Sequence, residues 1–242
     1  LNEYARGSKI FILDAEKEYG DLVKSNGGHF INLYSRTGGM INPLQLRLLP
    51  SEDEENISEI LDNRFNFDSP LAKHLGYLET FFHTAFESLS EKEWILLSKL
   101  LETLYQRFGI TRNSTVEDLE KFSNNDYPIL TDLINLIKEY LSKDLGEERN
   151  ILLKQLDILV SKFESGPDYL LFNGHTTIDL DNDIICFDLQ ELLFSKNARL
   201  ISTQMLSLLT YLSSVLVANK IKNERLNKEQ RMIIAVDEIH LY

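Results

Sequence analysis

The sequence predicts an α/β protein whose parallel sheet is interrupted by a large all-helical insertion. Three features carry that reading. Short apolar runs stand at both ends of the chain, "KIFILD" (9–14) and "HFINLY" (29–34) early, "DIICFDL" (183–189) and "MIIAV" (232–236) late. More than a hundred residues between them (50–167) repeat their apolar positions at helical spacing. The last two runs flank one long helical stretch, a strand–helix–strand order that implies parallel pairing through a right-handed crossover.

The first region, 1–49, alternates short elements. "LNEYARG" (1–7) reads as the tail of a helix stopped by Gly7, with no cap before it. The chain also closes just past an acidic strand end, so it is expected to be a piece of a larger protein. "KIFILD" is apolar along its length, as a strand covered on both faces is. "EYGDLVKSNGG" (18–28) reads as a short helix ended by Gly27 and Gly28, "HFINLY" as a second strand and "RTGG" (36–39) as a turn. Pro43 makes "INPLQL" (41–46) extended.

The second region, 50–167, is helical. It opens on the acidic cluster "SEDEEN" (51–56). "SEKEWILLSKLLETLYQRFG" (90–109) starts with a capping box, Ser90 with Glu93, and stops at Gly109. Trp94, Leu97, Leu101, Leu104 and Phe108 share one face of it. "YPILTDLINLIKEYLSK" (127–143) and "ERNILLKQLDILVSKFESG" (148–166) are helices of the same kind, and the aromatic run "HLGYLETFFHTAF" (74–86) is core. The third region, 168–242, returns to alternation. "TTIDLDNDIICFDL" (176–189) predicts a strand, a polar turn at 181–183 and a strongly apolar strand. A helix over 197–226 and the strand "MIIAV" follow.

Composition narrows the functional classes. The chain is 43% hydrophobic and 26% charged, which suits a packed core and argues against disorder. Its net charge of −13, with scattered Lys and Arg, would repel nucleic acid. The mixed-charge stretch "NKIKNERLNKEQR" (219–231) reads as a solvated helix end. The lone Cys186 makes no internal disulfide and reads as a core residue of a reduced, intracellular protein. No signal peptide is visible. "LISTQMLSLLTYLSSVLVAN" (200–219) is uncharged and long enough to cross a bilayer, but its Ser, Thr, Gln and Asn residues make it a helix buried in protein. The five histidines do not make a metal site, and no G-x-S-x-G is present.

The chemistry concentrates at strand ends. Open α/β sheets bind ligands at the carboxyl ends of their strands. Asp14, Asp188 and Asp237 fall there, with Glu238 beside the last. An apolar strand followed by Asp-Glu is the pattern of a Walker B element. Asp237 would hold Mg²⁺, a hard cation that takes oxygen ligands, and Glu238 would orient the attacking water as general base. The partner motif, G-x-x-x-x-G-K-[ST], is absent, and "SNGGHF" and "RTGGMINP" read as turns. If "LNEYARG" ends the helix of such a loop, the loop lies upstream of Leu1.

In order, "KIFILDAEKEYGDLVKSNGGHFINLYSRTGGMINPLQL" (9–46), "LETFFHTAF" (78–86), "LLFNGHTTIDLDNDIICFDLQEL" (170–192) and "IIAVDEIHLY" (233–242) resemble conjugative-transfer ATPases of type IV secretion systems, the TraC/TrbE-like members of the HerA–FtsK superfamily. The family element D-P-E-x-E-Y is matched by Asp14, Glu16, Glu18 and Tyr19, with Ala15 in place of the proline. The resemblance implies a RecA-like P-loop NTPase sheet, partial here, with a large all-α insertion. It also implies ATP and Mg²⁺ as cofactors. Asp237 becomes the metal-associated acid, Glu238 the catalytic acid, and Asp14, Glu16 and Glu18 the edge of the nucleotide site. Glu16 and Glu18 read equally as acids favouring a helix N-terminus.

The implied setting is a cytoplasmic motor at the inner face of the cell membrane, a hexameric homo-oligomer meeting secretion-channel or coupling proteins, with DNA reached indirectly. The family's phosphate loop and its later sensing and arginine elements have no counterpart in these 242 residues, so this stretch alone is expected to be inactive. Two other readings stand beside it. One is a HerA-like DNA translocase, which the acidic charge and long insertion weigh against. The other is a non-catalytic scaffold, a degenerate ATPase fold whose helical region binds partner proteins.

Overall fold

A computed structural model describes residues 3–35, 38–49, 69–143, 145–227 and 229–237. The acidic cluster 51–56, Glu238 and His240 lie outside the described residues. The chain divides into two compact units, an α/β unit drawn from 1–40 and 177–242 and a helical unit spanning 41–176.

In the α/β unit the apolar runs form four parallel strands: β1 (Lys9–Asp14), β2 (His29–Asn32), β3 (Ile184–Asp188) and β4 (Met232–Val236). Their order across the sheet is β2-β3-β1-β4. The crossover from β3 therefore steps over β1 before the chain re-enters the sheet. Alternation along the strands divides the apolar residues between two faces. Ile12, Ile184 and Cys186 pack with Val23 on one, while Phe11, Leu13, Ile185 and Phe187 are fully buried on the other. β4 differs from the core strand that its sequence suggests. Among the described residues it pairs with β1 alone, and Ala235 and Val236 are exposed.

Helix α1 (Gly20–Ser25) follows β1 and supplies Val23 to that core. It stops where Gly27 turns left-handed at φ +72°. Gly28 then passes so close to β3 that a Cβ there would sit 2.7 Å from the Ile184 carbonyl oxygen. At the N-terminus a single 3-10 turn, Tyr4–Arg6, ends at left-handed Gly7. The strand expected at "TTIDL" does not form. Thr177 exchanges two hydrogen bonds with Met40, each 3.0 Å, and the Asp179 side chain turns the chain by accepting from the Asp181 amide at 2.8 Å. Alternating residues without a ladder partner do not make a strand.

In the helical unit Ser69 caps α2 (Pro70–Ala85). The predicted capping box of Ser90 and Glu93 opens α3 (Glu91–Arg107), and Gly109 follows its end at φ +79°. Helices α4 (Val116–Leu119), α5 (Leu130–Leu141), α6 (Glu147–Val160) and α7 (Gly166–Phe172) follow among the described residues. The aromatic run is core: Phe81, Phe82 and Phe86 bury their rings against Phe163, at centroid separations of 5.3–6.5 Å. The sequence placed the borders of this region at 49/50 and 167/168, whereas the compact units part at 40/41 and 176/177. Long-range polar bonds explain the difference. Asn42 donates to the Pro128 carbonyl at 2.8 Å, its amide donates to Thr176 Oγ1 at 3.0 Å, and Tyr105 donates to the Leu44 carbonyl at 2.7 Å.

Beyond β3, α8 (Gln190–Phe194) leads into α9 (Ala198–Leu226), capped by Asn197 Oδ1, which accepts from the Leu200 amide at 3.2 Å. By length and composition α9 is the one described helix able to cross a membrane. Thr203, Gln204, Leu208 and Leu212 share its buried face, the mixed lining that the Ser, Thr and Gln residues suggest.

Candidate functional site at the carboxyl edge of the sheet

Parallel pairing sets the strand ends side by side. Asp14 is in register with Asp188, and the Asp237 amide donates to the Leu13 carbonyl at 3.0 Å. Asp14, Asp188 and Asp237 thus meet along one edge, as the sequence suggests.

Their environments differ. Asp14 is fully buried, and its carboxylate is taken up by the loop that follows: Oδ1 accepts from the Glu18 amide at 3.1 Å, Oδ2 from the Tyr19 amide at 3.0 Å. Hydrogen bonds to an ionised acceptor are stronger than those between neutral groups. These two fold residues 15–19 back over the strand end. Glu16 and Glu18 therefore sit on an exposed loop beside the acids, and Glu18 contributes its backbone amide to the site's frame. Helix α1 begins only at Gly20, after both acids.

Asp188 is almost fully buried, and its Oδ1 accepts from the Gln190 amide at 3.0 Å. Lys17 Nζ stands 3.1 Å from its Oδ2 and carries a raised pKa, first through its hydrogen bond to Asp188. The sequence reading missed Lys17. The signal was a lone base among the acids of "DAEKEY", but its partner lies far along the chain. Cys186 is sealed beside Asp14. Burial, then the Asp14 charge, pushes its thiol well up, in keeping with the core residue that the sequence suggests.

Asp237 is half-buried and sits at the end of an open groove of about 620 Å³. Ile10, Ile12, Ile184, Ile233 and Ala235 line that groove, with Tyr19 near the acid. The Asp237 charge is the first cause raising the Tyr19 phenol above its ordinary range. Mg²⁺ takes one or two protein carboxylates and completes its shell with waters and phosphate oxygens. A single accessible carboxylate at a strand end fits that share, and no group of three or more His, Cys, Asp or Glu suited to a metal exists among the described residues.

No protein-family model matches the chain, and no curated protein matches it. Among solved structures, VirB4 of Thermoanaerobacter pseudethanolicus matches with a TM-score of 0.76 at 28% identity, over 99% of this chain and 78% of that one. The likeness takes in nearly every residue, sheet and helical insertion alike, and agrees with the motif order of the sequence: the chain has the fold of a VirB4/TraC-like type IV secretion ATPase.

Proposed function

We propose that this chain is the motor ATPase domain of a conjugative DNA-transfer or type IV secretion machine, hydrolysing Mg-ATP at the carboxyl edge of its sheet. The observation that carries the proposal is Asp237, accessible at the end of β4 and beside the buried Asp14 and Asp188. Asp237 would hold Mg²⁺, which would neutralise charge on the phosphates. Glu238, the next residue, polarises the attacking water. Asp14 keeps the loop bearing Glu16 and Glu18 at the nucleotide's edge. No segment of these 242 residues has the phosphate-loop pattern, so that loop is supplied by chain outside them. Its partners are secretion-channel or coupling proteins and further copies of itself in a hexamer, on the cytoplasmic side of a membrane, with DNA handled indirectly.

A second reading, a non-catalytic scaffold, draws on Ile95, Ile151 and Ile158, which the helical unit leaves 53%, 50% and 69% exposed, as a partner-binding surface would. One substitution separates the two. Glu238→Gln in the full-length protein abolishes ATP turnover and leaves ATP binding intact. Persistent turnover removes Glu238 from its role, and absence of ATP binding in the unsubstituted protein favours the scaffold.

A further inference from the structure

We propose that Lys17 and Asp188 form a latch that holds the loop after β1 over the carboxyl edge and so positions Tyr19 beside Asp237 for hydrolysis; this rests on the ATPase reading above. Lys17 sits in the left-handed region at φ +63°, a conformation that costs a side-chain-bearing residue energy and that glycine adopts freely. A lysine occupies the position nonetheless, and its ammonium reaches a carboxylate. The Lys17 side chain is 45% exposed, while that of Asp188 is 0% exposed. A carboxylate so buried is costly without a counter-charge, so the pair resists opening.

Further bonds tie the same loop to the residues after β3. Gln190 Nε2 donates to the Glu16 carbonyl at 3.2 Å, and the Leu189 amide donates to the Asp14 carbonyl at 2.9 Å. Tyr19 lies two residues past Lys17 and lines the groove that ends at Asp237. Without the Lys17 ion pair, the segment that places the phenol keeps only the Asp14 and Gln190 bonds and moves more easily. Lys17 and Asp188 are positioning residues, acting through Tyr19 and the loop.

The test uses variants of the full-length protein. Lys17→Gly keeps the left-handed turn and removes the whole side chain; Lys17→Met keeps an apolar stem and removes the charge. Both are expected to lower kcat for ATP about tenfold, as a small displacement near reacting groups does, with KM changed less than about twofold. Lys17→Arg restores most of the rate. The double variant K17M/D188N leaves no unpaired buried charge. It is expected to keep the unfolding midpoint while amide hydrogen exchange over residues 15–20 quickens at least tenfold. Wild-type kcat in Lys17→Gly, or unchanged exchange over 15–20 in the double variant, overturns the latch. Should the unsubstituted protein hydrolyse no ATP, the functional reading falls, and the exchange experiment alone decides whether the latch holds the loop.

Discussion

Replacing Asp14 with alanine separates two roles that a strand-end acid can have. The structure makes it a cap. The side chain is fully buried, and both oxygens are engaged by backbone amides, Glu18 at 3.1 Å and Tyr19 at 3.0 Å. Hydrogen bonds to a charged acceptor contribute about 1.5–3 kcal/mol each, and a donor stranded without a partner costs about 1–3 kcal/mol. Both amides lie in a part-buried loop that water partly reaches, so the low end applies, about 3 kcal/mol for the pair. A loss of that size raises the population of the open α/β unit roughly a hundredfold. Native-state hydrogen exchange reads it directly: β1 and β3 amides should exchange about a hundred times faster in Asp14→Ala. Asp14→Asn retains one carbonyl acceptor and should show about a tenfold effect, half the energy. If strand exchange changes less than about threefold while nucleotide affinity collapses, the capping account is wrong and Asp14 is a ligand.

Two further outcomes concern the helical unit. Phe163 is fully buried and meets Phe81, Phe82, Phe86 and Phe172, so Phe163→Ala should cost about 3–5 kcal/mol, read by urea unfolding through the fluorescence of the only tryptophan, Trp94; a loss under about 1 kcal/mol contradicts that packing. His74 is completely buried, and desolvation, then the Arg47 charge, hold its imidazole down to about 3 from an ordinary 6.5. The unfolded chain therefore takes up the proton first. The stability from keeping His74 neutral is fully present above about pH 6.5 and is lost as pH falls towards about 3, on the order of 5 kcal/mol across that window. Unfolding midpoints measured against pH should lose most of this slope in His74→Phe, and an unchanged slope would assign the acid sensitivity elsewhere.

Strands β1 and β3 were legible because runs such as "KIFILD" and "IICFD" carry apolar residues on both faces, as a covered sheet requires. The start of α3 was legible because Ser90 and Glu93 satisfy each other's amides locally, three residues apart. What could not be read depends on partners distant in sequence. The border at 40/41 rests on Asn42 reaching Pro128 and Thr176, and neither residue advertises the bond. "TTIDL" has the alternation of a strand and lacks only a neighbour to pair with.

The site follows the same division. The three acids at the strand ends were readable because a βαβ order forces parallel strands to finish on one side, whatever the loops do. Their inequality was not. Asp14 and Asp188 are sealed and engaged by backbone amides and by Lys17, while Asp237 stays accessible because β4 is an edge strand among the described residues. Periodicity reports what a side chain prefers, not what covers it. An apolar strand with its last two residues exposed looks identical, in sequence, to one in the middle of a sheet. Which carboxylate stays accessible therefore comes from strand order and from one left-handed lysine.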